Sequence, residues 1–172
     1  MDTPSAGLAQ IARSEGGYRC EFARDFDHAP QAVWRALTEP SKLAQWLAPG
    51  AIELRIGGRA RLDFRDSGVV IDSEVTLCEP DHLLEYGWNS PGEPERRLTW
   101  TLNAVQDGCR LSLVLRLPEG EDVARSCAGW DAHLDMLAAT LEGVSIKFPF
   151  EAFKTARAAY GERLSAQASR PA

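Results

Sequence analysis

The segment SCAGWDAHLDMLAATLEG, Ser126–Gly143, limits the possible folds more than any other part of the chain. Val123, Cys127, Trp130, Leu134, Leu137 and Leu141 recur at spacings of 4, 3, 4, 3 and 4. That spacing places them on one face of a long helix that needs an apolar surface to lie on. Two acids, Glu121 and Asp122, mark its start, where the helix dipole favours negative charge. Gly143 follows its last turn, where a left-handed cap is wanted.

What precedes the helix is a succession of short strands. Tyr18–Phe26 alternates, as do Ile52–Ile56, Arg59–Arg65, Val69–Cys78, Leu83–Trp88, Arg96–Ala104 and Cys109–Leu117. Gly57-Gly58, Ser67-Gly68, Pro80-Asp81, the stretch NSPGEPE and Asp107-Gly108 separate them. Connections this short join antiparallel neighbours, because a parallel crossover needs a dozen or more residues. Pro30 and Pro40 open two short helices after the first strand, with Val33, Trp34 and Leu37, then Leu43, Trp46 and Leu47, on their apolar faces. The expected fold is α+β: a seven-stranded curved antiparallel sheet around one long C-terminal helix, the helix-grip layout.

Residues 1–17 read as a loose lead-in with one helical turn at Leu8–Ala12, and residues 18–143 as the domain itself. Residues 144–164 add a further helix, opened by Pro149 and carrying Phe150, Phe153, Ala156 and Tyr160 as its stripe. Residues 165–172 read as a loose tail. A chain of 172 residues is long enough to bury one core without staples. The four cysteines, Cys20, Cys78, Cys109 and Cys127, show neither metal-ligand spacing nor a disulfide pattern, and a reducing compartment is expected. A net charge of −6 disfavours nucleic acid, whose phosphates call for a basic face, and disfavours an anionic membrane surface. No apolar run approaches the ~20 residues of a membrane span. The opening residues lack a basic stretch followed by an apolar one, so the expected location is cytoplasmic.

Candidate site residues are aromatic rather than catalytic. Phe64, Tyr86, Trp88, Trp100, Trp130 and Leu134 fall on strand and helix faces expected to meet, and such residues line apolar ligand pockets. Core bulk is the competing role. Gly129 interrupts the long helix at a cost of about 1 kcal/mol relative to Ala. Close approach of sheet backbone is the favoured reason, and room for a ligand beside the Trp130 indole the other. His133 is the weak catalytic candidate, with Asp135 or a strand carboxylate as its partner. His28 and His82 fall in turns and are expected to be solvated. Arg55, Arg59, Arg61 and Arg65 read as a solvated face of cross-strand pairs. No nucleophile elbow, phosphate loop or metal triad is present, and neither metal nor cofactor is expected.

Several segments resemble a known family. FARDFDHAPQAVWRALTEPSKLAQWLAPG is similar to the opening strand and two short helices of the SRPBCC (START-like) superfamily, in particular its activator-of-heat-shock-protein-90-ATPase-homologue-like branch. IGGRARLDF, EVTLCEPDHLLEYGW and GWDAHLDMLAATLEG resemble that branch's Gly-Gly strand turn, its strand ending in Trp and its final helix. The resemblance spans Tyr18–Gly143. It implies a cavity between sheet and helix and no particular reaction. The expected function is binding of a small hydrophobic or aromatic molecule. A cyclase- or hydrolase-type enzyme and a co-chaperone-like interaction module are the alternatives. The terminal helix is expected to form a homodimer through Phe150, Phe153 and Tyr160, or else to fold back over its own domain.

Overall fold

The computed structural model describes residues 7–168. They form β1 Gln10–Ser14, β2 Gly17–Phe26, α1 Pro30–Thr38, α2 Pro40–Trp46, β3 Gly50–Ile52, β4 Arg59–Phe64, β5 Val69–Glu79, β6 Leu83–Gly87, β7 Arg97–Val105, β8 Gly108–Pro118, α3 Val123–Leu141 and α4 Phe150–Ala168. The strands make one antiparallel sheet in the order β1-β2-β8-β7-β6-β5-β4-β3. Consecutive strands are neighbours except at one point. After β2 the chain leaves through α1 and α2, re-enters at β3 on the far edge, and works back by hairpins until β8 pairs with β2.

Alternation along the strands builds the core side. Register aligns buried residues into rows across the sheet. One row runs Cys20, Leu115, Leu98, Tyr86 and Val75. The next runs Phe22, Leu113, Trp100 and Leu84. All are essentially inaccessible to solvent. Because side chains alternate strictly between faces, a slip of one residue would turn a whole row outward, so burial fixes the register. A bulge between Val75 and Leu77 is the one irregularity in the β5–β6 pairing, and Leu77 beyond it is exposed. The turn before β8 is Gln106-Asp107, with Asp107 in the left-handed region at φ 64°.

Helix α3 lies on these rows through the stripe read from the sequence: Val123, Cys127, Trp130, Leu134 and Leu137 are buried and Leu141 partly so. Its start differs by one role. Asp122 is the N-cap, its side chain accepting from the Arg125 amide, rather than a first-turn acid. Such a cap is worth about 1 kcal/mol. The end is as expected, with Gly143 at φ 78°. The backbone amides of Gly143 and Val144 there donate to the carbonyls of Thr140 and Ala139. Gly129 lies off the stripe. A Cβ built there meets no heavy atom within 4 Å, so close approach of the sheet, the favoured explanation, does not hold.

Other boundaries differ as well. The sheet has eight strands, not seven. The helical turn expected at Leu8–Ala12 is absent: Gln10–Ser14 pairs with β2 through a tight turn whose Gly16 takes φ 74°. That hairpin turns Ile11 toward the core and lays the Arg13 guanidinium 4.7 Å above the Tyr18 ring. The strand expected at Ile52–Ile56 pairs only over Gly50–Ile52. Residues 1–6 of the lead-in and 169–172 of the tail lie outside the described residues, while residues 165–168 continue α4.

The terminal helix folds back on its own domain. Tyr160 is fully buried, its hydroxyl donating to Asp131 Oδ2 on α3 (2.5 Å) and accepting from the Ala9 amide (2.7 Å). Asp131 Oδ1 accepts from Arg24 on β2 (2.8 Å). Arg163 donates to the Ala9 carbonyl (3.1 Å). Three elements and the segment leading into β1 thus meet at one carboxylate and one phenol. Of the three residues expected at a dimer face, Tyr160 is consumed inside the chain, Phe153 is half-buried and Phe150 stays exposed.

Two expected outcomes follow from this packing. Gly129→Ala raises stability by about 0.5–1 kcal/mol, since the methyl meets open space and the helix gains propensity. Gly17→Ala lowers it sharply, since a Cβ there would stand 1.9 Å from the Leu117 carbonyl oxygen. Urea denaturation of both variants checks the contrast. Tyr160→Phe leaves an amide and a carboxylate oxygen without their shared partner and costs about 1–3 kcal/mol. Hydrogen exchange at the Ala9 amide should accelerate in step with that loss.

Candidate functional site

The strand and helix faces converge on a chain of aromatic rings. Trp100, from the middle of β7, meets Trp46 of α2 edge-on (5.9 Å) and Trp130 of α3 (5.7 Å). Trp130 meets Trp88, just past β6, at 4.9 Å. Trp88 meets Phe64, the last residue of β4, at 5.7 Å, and Tyr86 at 6.5 Å. All but the tilted Tyr86 contact are edge-to-face, the arrangement the ring quadrupole favours. Leu134 lies one turn beyond Trp130 in the same core. The six residues singled out in the sequence therefore do come together. They divide by exposure: Tyr86, Trp100, Trp130 and Leu134 are buried, whereas Phe64 and Trp88 are half-buried at the border.

His133 closes this border. Its ring is 5.9 Å from Trp130, 6.3 Å from Phe64 and 5.5 Å from Phe148. Its partner is neither Asp135 nor a strand carboxylate. Nδ1 lies 3.0 Å from the Trp46 carbonyl oxygen. A carbonyl can only accept, so the proton is on Nδ1 and Nε2 carries a lone pair in the neutral ring. No partner of Nε2 is found among the described residues. Burial pushes the imidazole below its ordinary 6.5, outweighing the carbonyl contact that favours the cation. Asp135 is exposed on the helix flank.

Other polar groups of the cluster are few. The Trp100 indole N–H points at the Tyr86 hydroxyl (3.4 Å), and burial raises that phenol well above its usual range. The Trp46 indole donates to the Ala36 carbonyl (2.7 Å), which locks α2 to α1. Cys20 and Cys127 share a thiol–thiol hydrogen bond between β2 and α3, which together with burial pushes Cys127 upward. All four cysteines are free. No group of three or more His, Cys, Asp or Glu able to hold a metal occurs among the described residues.

Two cavities lie elsewhere. A groove of about 420 Å³ runs between β1 and α4, against Gln10, Ile11, Arg163, Ala166 and Gln167. A smaller one of about 130 Å³ lies where α1, α2 and the end of α3 meet. Neither is lined by the aromatic rings, which instead close on one another. His28 and His82 are not merely solvated: His28 Nε2 lies 2.5 Å from Glu142 and His82 Nδ1 lies 2.8 Å from the Leu102 carbonyl oxygen. Of the four arginines, Arg59 forms the expected cross-strand pair, with Asp72, whereas Arg55 stands 3.8 Å from Glu53 in the preceding loop.

Two site residues escaped the sequence reading. Phe148 sits in the linker VSIKFPF, which carries no periodicity. The Trp46 carbonyl is a backbone atom, and nothing in the sequence marks it as the partner of a histidine 87 residues away.

Residues 27–142 match the profile of a protein family described as Activator of Hsp90 ATPase homolog 1-like protein. The chain belongs to that family. Among solved structures, CalU16 of Micromonospora echinospora superposes with a TM-score of 0.74 at 20% identity, over 90% of this chain and 95% of that one. A conserved protein of unknown function from Enterococcus faecalis, EF2215, gives 0.76 at 22% identity, over 92% and 91%. DynU16, from the dynemicin biosynthetic locus, is 31% identical over 72% of this chain, with a TM-score of 0.64, and the match covers 47% of DynU16. No curated protein matches the chain significantly. The shared fold is α+β, an open antiparallel sheet around a long helix, as expected. Among the described residues no helix is long and apolar enough to cross a membrane.

His133 makes stability depend on pH. The folded state disfavours the imidazolium, so the unfolded chain binds more protons just below 6.5. The His133 contribution is intact above that pH and is lost as pH falls below it. The melting temperature should therefore drop on acidification through this window. In His133→Asn, which can still donate to the Trp46 carbonyl, the drop should flatten.

Proposed function

We propose that this protein binds a small hydrophobic or aromatic molecule between the sheet and α3, at the ring cluster of Phe64, Tyr86, Trp88, Trp100, Trp130 and Leu134. The observation that carries this reading is the half-buried border. Phe64, Trp88, His133 and Phe148 stand between solvent and the buried Trp130, and the linker that holds Phe148 is exposed from Gly143 to Lys147 before it, with Pro149 after it half-buried. A ligand enters by parting these rings and replaces their mutual contacts with its own. Aromatic side chains suit that exchange, since each offers a large apolar face at little conformational cost. The free Nε2 of His133 adds an acceptor for a ligand hydroxyl or N–H at the border.

The test is a fluorescence titration with an apolar naphthalene probe. Saturable binding with quenching of tryptophan emission is expected. Phe64→Ala and Trp88→Ala, both at the border, should weaken it about tenfold, equivalent to ~1.4 kcal/mol. Ile56→Ala, at an exposed residue outside the cluster, should leave it unchanged. Equal affinity in all four proteins would remove the cluster as the site.

A second reading, an enzyme of the cyclase or hydrolase type, is favoured by one observation: His133 is held neutral and in one tautomer, as a general base must be. Loss of a turnover by a hundredfold or more in His133→Asn would select it over simple binding, the scale of general-base catalysis being about 10²–10⁴.

A further inference from the structure

Two neighbours on α3 give the border of the ring cluster a hydrogen-bonding chemistry that its apolar walls lack. His133 Nδ1 is committed to the Trp46 carbonyl at 3.0 Å, which leaves Nε2 with a lone pair. One turn earlier stands Trp130, with its ring 5.9 Å from the imidazole. Among the described residues the Trp130 indole N–H has no acceptor and His133 Nε2 has no donor. Side-chain nitrogens and oxygens shut off from solvent are nearly always paired. Here the unpaired ones are Asn89 Oδ1 and Thr140 Oγ1. The two α3 nitrogens are not among them, so each keeps an opening to solvent, although only 5% of Trp130 is exposed.

The surroundings limit the charge a ligand can bring. The partners of the His133 ring are the Trp46 carbonyl and the rings of Phe64, Trp130 and Phe148, none of them charged. Burial favours the neutral imidazole, and no nearby ion contributes to its titration. A carboxylate brought to Nε2 would face a lone pair, with no cation to offset the loss of its water. An ether or a ketone has no proton to give. An indole N–H donates only. A hydroxyl donates to Nε2 and still has lone pairs for an indole N–H beside it.

Resting on the binding reading above, we infer that the molecule taken up at this cluster is a neutral hydroxyarene, with its ring among Phe64, Trp88 and Trp130 and its hydroxyl on His133 Nε2. The walls call for a flat aromatic body. An entering ring can take over the edge-to-face contacts that Trp88 makes with Phe64 (5.7 Å) and Trp130 (4.9 Å). His133 then sets specificity rather than affinity alone, and the Trp46 carbonyl keeps it in the tautomer that accepts.

The test measures how well naphthol, its methyl ether, naphthoate and naphthylmethylammonium displace the naphthalene probe from the full chain, at about pH 7.5, above the ordinary imidazole value. Naphthol should bind about fivefold more tightly than the ether, the scale of one neutral hydrogen bond, and more tightly than either ion. In His133→Asn, which keeps a donor for the Trp46 carbonyl and removes Nε2, the advantage over the ether should vanish. The His133 Nε2 nitrogen resonance should move with naphthol and stay with the ether, a response that a purely structural histidine would not give. The wild-type comparison and the resonance need no variant. Equal affinity for naphthol and ether, an advantage that persists in His133→Asn, an unmoved resonance, or an ion that binds as tightly as naphthol each overturns the inference and leaves the cluster as a binding site. A probe that does not bind at all removes the cluster, and this inference with it.

Discussion

Everything in this molecule depends on one helix covering one face of one sheet. Eight strands present their buried rows on the same side, and α3 is the element laid across those rows. Hydrophobic burial is non-directional, so by itself it would let α3 slide or rotate. Orientation comes from the ends and the flank. Asp122 caps the start, Gly143 reverses the chain at the finish, and Asp131 on the flank grips Arg24 of the sheet and Tyr160 of α4. Removing one partner from such a partly buried pair costs more than the pair contributes, because a charge is left behind. Asp131 thus converts a greasy contact into a fixed one.

The same arrangement explains why the candidate site is aromatic. Around Trp130 the space between sheet and α3 is filled largely by indoles and phenyl rings. Rings meeting edge to face fill space through a few large contacts. Aliphatic packing fills it through many small ones, and deleting even a methylene there is felt. A ring-filled region can therefore be rearranged by moving three or four side chains.

The strands, the long helix and its stripe were legible because they rest on periodicity, and periodicity is a property of neighbouring residues. The five aromatic residues of the cluster and Leu134 could be named for the same reason. What could not be read depends on distant pairings. Gln10–Ser14 carries only a faint alternation and becomes a strand because β2 offers it an edge. Tyr160 looked like part of an exposed stripe until Asp131 and Ala9 supplied partners for its hydroxyl. His133 was matched to the nearest carboxylate in sequence, whereas its partner is a backbone carbonyl from α2. Gly129 drew a packing explanation because core glycines usually have one, yet it faces open space.

The bond between the Ala9 amide and the Tyr160 hydroxyl spans 151 residues. A protein made from its amino end at roughly 5–20 residues per second cannot close that contact until Tyr160 has been synthesised, after every strand and α3. The pairing of β2 with β8 is likewise a late event, joining the first long strand to the last. During synthesis the hairpins from β3 to β7 can form in order, while β1, β2 and the apolar side of the growing sheet wait uncovered. α3 and α4 come last in the order of synthesis, and only then can Tyr160 join Asp131 to the Ala9 amide.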